Sequence, residues 1–287
     1  MIFKKRVVAA LSAALLAGSA AAVELGAGEK GEVLIAPMVM IAGGWDSELR
    51  VTNTDTVNSA VVKVVFHEPT RSAEILDFFI FLSPGDVWRG TAMKNADGTL
   101  GVRSTDGSSL MVQASQQNNN CLQPQATAVG FDPAVVKSTI AVDFAYVNFF
   151  QARTFPGLGE GRAVPKANIL SAYSAACLAA DPIEADDTTN LLAGDVTLSN
   201  TSNGNILRLN MTALTNVDNN VYHGLANYTG FSTVTSNNHL GVIKSRVEDA
   251  IWAQNFAFSY DLTAGNQTYG TVTFPTKEAV LLSPATQ

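Results

Sequence analysis

Apolar residues recur along the chain in short runs broken by turn residues, the pattern of β-strands rather than of long helices. Val33-Leu34-Ile35 and Met38 to Ile41 form two such runs, with Pro37 between them. Proline donates no ladder hydrogen bond, so this stretch predicts an edge strand or a bulge. Glu48 to Thr52 alternates, with Leu49 and Val51 on one face. Ala60 to Phe66 (AVVKVVF) is apolar on both faces except at Lys63, and Ile75 to Leu82 reads ILDFFIFL. Both predict central strands covered on both sides. Ser83-Pro84-Gly85-Asp86 is a turn, Val87-Trp88 opens another strand, Asp97-Gly98 signals a hairpin and Asp106-Gly107 a further turn.

The polar stretch Gln113 to Cys121 predicts a loop, and Ser138 to Phe150 returns to strand-like composition. A Gly-rich loop follows at Pro156 to Gly161. Pro165 then suits a first helical turn, and Ile169, Leu170, Tyr173 and Cys177 have the spacing of a short amphipathic helix. Asp181 to Asn190 is an acidic loop. Asp195 to Asn200 should pair with Ile206 to Leu214 across Asn203-Gly204. Asn216 to Asn238 is polar and loop-rich. Ile243, Val247, Ala250 and Ile251 predict a second short helix, and Phe256 to Leu262 and Thr268 to Thr276 a last pair of strands.

These elements predict a mainly β fold: one or two β-sandwich domains, Ig-like or jelly-roll-like, with one or two short helices. The expected division is a leader at 1–22, an N-terminal β-sandwich-like domain at 23–120, and a C-terminal β-rich domain with short helices at 121–287. A faint echo supports two similar domains: Val51-Thr52-Asn53-Thr54 and Leu198-Ser199-Asn200-Thr201 each precede a turn and an apolar strand. Two unrelated domains, or one large sandwich, also fit.

The N-terminus sets the address. Lys4, Lys5 and Arg6 precede an apolar run from Val7 to Gly18, and Ala20-Ala21-Ala22 fits a signal-peptidase site. A run of roughly a dozen residues is too short to span a bilayer. Cleavage is expected between Ala22 and Val23. Ser19 occupies the place a lipidated cysteine would need in Leu16-Ala17-Gly18-Ser19, so no lipid anchor is expected. No later stretch predicts a membrane span, so the mature chain should not be an integral membrane protein. Released or held by protein contacts, it should be periplasmic, at the cell surface or extracellular.

Charge excludes one class of partner. The chain has 18 basic and 25 acidic residues. Without Lys4, Lys5 and Arg6 the balance is 15 against 25, unsuited to nucleic acid. Cys121 and Cys177 are the two cysteines, and in an oxidising compartment they are expected to form a disulfide. It would close a loop of roughly 55 residues and contribute about 4 kcal/mol.

Catalytic signatures are missing: no HExxH, GxSxG, Walker A or CxxCH motif occurs. The sequence predicts no catalytic residue, no cofactor and no metal site. Gly157-Leu158-Gly159-Glu160-Gly161 has GxGxG spacing with an acidic residue where a phosphate would lie, and reads as a connection. Asp181, Glu184, Asp186 and Asp187 offer oxygen ligands for Ca²⁺ but lack EF-hand spacing, so a solvated loop is the better reading. His223 and His239 have no short ligand spacing, and His67 is expected at a surface or interface. Trp45, Trp88 and Trp252 are candidates for stacking on a sugar ring, against the alternative of ordinary packing.

Gly43 to Glu68 (GGWDSELRVTNTDTVNSAVVKVVFHE), Leu76 to Trp88 (LDFFIFLSPGDVW) and Thr273 to Lys277 (TFPTK) resemble a group of uncharacterised secreted bacterial cell-surface proteins. The resemblance covers mainly the N-terminal third. It consists of strand-and-turn text, and it implies a surface-associated β protein with no particular active site. With it, the expectation is an exported, non-enzymatic structural or interaction protein of the bacterial cell surface or extracellular matrix. Its partners would be other envelope or matrix proteins, or itself. The alternative is a carbohydrate-binding module or adhesin that presents Trp residues to glycans.

Overall fold

The computed structural model describes residues 24–26, 29–70, 72–104, 110–112, 128–129, 135–155, 164–178 and 191–215. In chain order the strands are β1 (Glu24–Leu25), β2 (Val33–Met40), β3 (Trp45–Asn53), β4 (Ser59–His67), β5 (Glu74–Leu82), β6 (Val87–Lys94), β7 (Thr99–Arg103), β8 (Met111–Val112), β9 (Ala128–Val129), β10 (Val135–Ala141) and β11 (Phe144–Phe155). Helix α1 (Lys166–Leu178) follows, then β12 (Leu192–Asn200), β13 (Ile206–Asn210) and β14 (Thr212–Thr215). One sheet has the order β1-β14-β2-β11-β4-β5-β8-β9 and the other β10-β7-β6-β3-β12-β13. All of their pairings are antiparallel, so the expected mainly β, sandwich-like architecture is present.

The alternation read from the sequence sets what each face meets. Leu49 and Val51 of β3 face Ala60, Val62, Val64 and Phe66 of β4 and Leu76, Phe78 and Ile80 of β5 in one core between the sheets. Each fully buried side chain of this kind contributes about 1.5–3 kcal/mol. The opposite face of the six-stranded sheet is polar, carrying Glu48, Arg50, Thr91 and Thr197. The outer face of the eight-stranded sheet is instead covered. Helix α1 lays Ile169, Leu170 and Tyr173 against Val61, Phe79 and Phe81. That is why β4 and β5 lack alternation: both of their faces are buried.

The turns follow their residues. Gly85, Gly98 and Gly204 take positive φ in the connections predicted as turns. Helix α1 starts directly after Pro165, as expected, and Lys166 ties it to the β5–β6 turn through an ion pair with Asp86 and a 3.1 Å bond to Ser83 Oγ.

Several expectations need correction. The sheets do not divide at residue 120, where a second domain was expected to begin. Strand β11 lies between β2 and β4, and β12 pairs along β3, so strands from both halves build each sheet. Strand β2 as a whole is not an edge strand, since it lies between β14 and β11, although its pairing with β14 covers only Val33 to Ile35 and stops before Pro37. The bulge reading of Pro37 holds: the β11–β2 register slips between Ala145 and Val147, opposite this proline. Ser138 to Phe150 is two strands, β10 and β11, and Ile206 to Leu214 also divides. Residues 206–210 complete the hairpin with β12, while β14 crosses to the other sheet and pairs with β2. The second helix expected near 243–251 and the last strand pair lie outside the described residues.

Candidate functional site

Three features carry chemistry or an unfilled surface. The first is a buried polar group on the outer face of the eight-stranded sheet. Register places Tyr146, His67 and Glu74 in one row, and Asn148, Val65 and Asp77 in the row two residues along the strands. Lys63 is fully buried, with its Nζ 3.1 Å from Asp77 Oδ2. Burial pushes the Lys63 ammonium below its usual range, and Asp77 opposes that shift. His67 donates from Nδ1 to the Ser72 carbonyl (3.0 Å), which leaves Nε2 to accept from Asn148 Nδ2 at 3.3 Å. Its ring stacks on Tyr146 with centroids 4.7 Å apart. Burial pushes His67 down to about 4, so it is neutral at pH 7. Burial, and after it the Asp77 charge, push Glu74 up to about 7. The expectation of His67 at a surface or interface is corrected here: its side chain is buried. The His67–Asn148 bond and the Lys63–Asp77 pair tie β4 to β11 and to β5, which suits a structural role, while Glu74 Oε2, Tyr146 Oη and Asn148 Oδ1 are buried without a hydrogen-bond partner among the described residues.

The second feature is a surface groove of about 700 Å³ at one end of the sandwich. The β4–β5 connection supplies Glu68, Pro69, Thr70 and Ala73; Lys94 and the β10–β11 turn supply the rest. Ile140 and Phe144 are 44% and 48% exposed along it. Lys94 Nζ pairs with Asp143 at 2.6 Å, and Glu68 accepts from the Thr70 amide at 2.7 Å. Apolar faces and hydrogen-bonding groups thus share one concave surface of ligand-sized volume.

The third feature is the β13 edge of the six-stranded sheet. Its sequence, ILRLN, has apolar residues on both faces. Ile206 is 73% and Leu207 42% exposed. The hairpin bonds show which main-chain groups face outward. Asn200 N–H donates to the Asn205 carbonyl, and Met211 N–H to the Gly194 carbonyl. In an antiparallel ladder the bonded positions alternate. Residues 207 and 209 therefore bond to β12, while the N–H and C=O of Ile206, Arg208 and Asn210 point away from it. Asp195 Oδ2 accepts from Arg208 at 2.9 Å and pairs with Arg50 at 2.6 Å, so the one charge on this edge is compensated. The other edges differ. Strands β1 and β9 have two residues each, and β10 carries a register shift between Lys137 and Ala141. Short length and bulges are common protections against edge pairing; β13 has no bulge.

The residues singled out in the sequence fall elsewhere. Trp88 is 3% exposed, with its ring 6.1 Å from Phe78 and 6.5 Å from Phe149, so a sugar has no access to its face. Trp45 is partly buried and packs against the core. Trp252, the acidic loop 181–190, His223, His239 and the Ala22–Val23 junction lie outside the described residues. So does Cys121; Cys177 belongs to α1. Reading the sequence missed β13 as an edge of the sheet among the described residues, although Asn203-Gly204 located its hairpin. The signal was the apolar pair Ile206-Leu207 directly after that turn. Among the described residues no group of His, Cys, Asp or Glu is arranged to hold a metal ion, and no helix is long and apolar enough to cross a membrane.

No family model matches the chain, and neither does any curated protein or solved structure.

Proposed function

We propose that this chain is an exported, non-enzymatic structural or interaction protein of the bacterial cell surface or extracellular matrix, which engages neighbouring envelope or matrix proteins by strand addition. The observation that carries the reading is the β13 edge, with Ile206 exposed and alternate main-chain groups directed outward. An incoming strand would pair those groups and cover Ile206 and Leu207. The leader-like N-terminus and the secreted-protein resemblance of Gly43 to Glu68 supply the address. The test is fractionation of the producing cell with wild-type chain and with Ile206→Pro. Proline at 206 removes an outward N–H and no bond to β12. The reading expects export of both, envelope retention of the wild type, and release of the variant into the medium. An unprocessed cytoplasmic chain, or equal retention of both, contradicts it.

The groove favours a second reading, glycan binding. Phe144 and Ile140 would face the apolar side of a sugar ring, and Glu68, Thr70 and Lys94 would meet hydroxyls. Under this reading Phe144→Ala loses binding on a glycan array while Trp45→Ala keeps it. Equal loss from Trp45→Ala, or no binding by the wild type, contradicts a site at this groove.

A further inference from the structure

We infer that the partner of the β13 edge is a second copy of this chain, joined antiparallel about a two-fold axis at Leu207. The inference rests on the strand-addition reading above and names its occupant. A two-fold interface must be self-complementary, and an antiparallel edge can pair with itself.

The outward positions limit the register. Ile206, Arg208 and Asn210 direct their main-chain groups away from β12, with no partner among the described residues, so bonded pairs across the interface must join residues of this set. One register sets Arg208 directly opposite the partner's Arg208, placing like charges in contact across the ladder. Shifting by one step of the two-fold sets Ile206 opposite the partner's Arg208, and Arg208 opposite the partner's Ile206. Each of these pairs exchanges two main-chain hydrogen bonds. The Arg208 stem then covers Ile206, the most exposed large apolar side chain described, while the guanidinium keeps Asp195.

The same register brings Leu207 against the partner's Leu207 at the axis. Leu207 lies beside Leu198 on the face that packs between the sheets, and Leu198 is fully buried. The apolar row Leu198–Leu207 therefore continues into the partner, and the six-stranded sheet becomes one sheet of twelve strands. The 42% exposure of Leu207 is what this contact removes.

The axis makes the test specific. Leu207 and the partner's Leu207 form a non-hydrogen-bonded pair, with Cα atoms roughly 4.5 Å apart, within disulfide range. The exported chain is examined by size-exclusion chromatography with light scattering over a dilution series. The Leu207→Cys chain is then oxidised and run on a non-reducing gel. Wild type, which carries Cys121 and Cys177, and Ile206→Cys are the controls. Expected are a dimer that dissociates on dilution and a covalent dimer from Leu207→Cys well above both controls. Ile206→Pro, and Ile206→Lys as a second variant should proline impair folding, are expected to weaken the dimer by about tenfold or more. A wild-type chain that is monomeric at every concentration overturns the second-copy assignment. So does a dimer that Leu207→Cys fails to trap. Envelope retention that still depends on Ile206 in a monomeric chain would leave strand addition standing with a different partner.

Discussion

The indole of Trp88 occupies the place that a side chain on Gly90 would take, on the core-facing side of the same strand. A Cβ at Gly90 would overlap the six-membered ring, and Trp88 is boxed by Phe78 and Phe149. Gly90→Ala should therefore cost about 1–3 kcal/mol through overpacking. Adding Trp88→Phe should recover part of that cost. Urea unfolding of the two variants checks this, and an unchanged midpoint for Gly90→Ala would contradict the packing described.

The Lys63–Asp77 pair makes an asymmetric prediction. Asp77→Asn removes the nearest carboxylate from the buried Lys63 ammonium and leaves Glu74 as the remaining one, so it should destabilise by about 1–3 kcal/mol. Replacing both, as Lys63→Met with Asp77→Leu, should cost much less than the two single changes added together. Denaturation of the single and double variants measures the difference.

Two groups give opposing pH dependence. The folded-state pKa of His67, about 4, lies below its ordinary 6.5. Its contribution is therefore complete above pH 6.5 and is lost as pH falls toward 4, roughly 3 kcal/mol in all. For Glu74 the folded value is about 7, above the ordinary 4.5. Its contribution is complete below 4.5 and is lost as pH rises through 7. In His67→Gln the acid-side loss should flatten; in Glu74→Gln the decline toward pH 7 should disappear. Unfolding free energies measured from pH 4 to 7.5 for wild type and both variants separate the two contributions.

Asn53 and Asn200 are buried near the ends of neighbouring strands and perform the same task. Asn53 Oδ1 accepts from the Asp55 amide, and its Nδ2 donates to the carbonyls of Asn58 and Ser83. Asn200 Oδ1 accepts from the Ser202 amide, and its Nδ2 donates to the Gly43 carbonyl. Asn53→Asp would turn two donors into acceptors facing carbonyls, so it should cost more than Asn53→Ala, itself about 2 kcal/mol. Thermal unfolding of the pair orders them, and the reverse order would contradict the hydrogen-bond assignment.

These asparagines also show what the sequence could reveal. The echo of Val51 to Thr54 in Leu198 to Thr201 was real as local turn chemistry, yet it suggested two domains. Its two copies end β3 and β12, which pair in one sheet. Strand text is local, whereas the pairing of β3 with β12 joins segments far apart in the chain. Alternation fixed the faces of β3, and the double-sided apolarity of β4 and β5 announced the covered sheet. Sheet order was not legible, so Pro37 suggested an edge strand, whereas β2 is flanked by β11 and, along Val33 to Ile35, by β14. Nor was the fate of Trp88, because an indole has the same sequence signature whether it packs or binds.

Amide hydrogen exchange along β13 tests the central claim, strand addition at this edge, most directly. The Leu207 and Leu209 amides bond to β12, while those of Ile206, Arg208 and Asn210 face outward. In the dilute chain the first pair should be protected and the other three fast. At high concentration, or in the envelope-bound state, the account predicts that Ile206 and Arg208 become protected as well. Fast exchange at these two positions under every condition would contradict it.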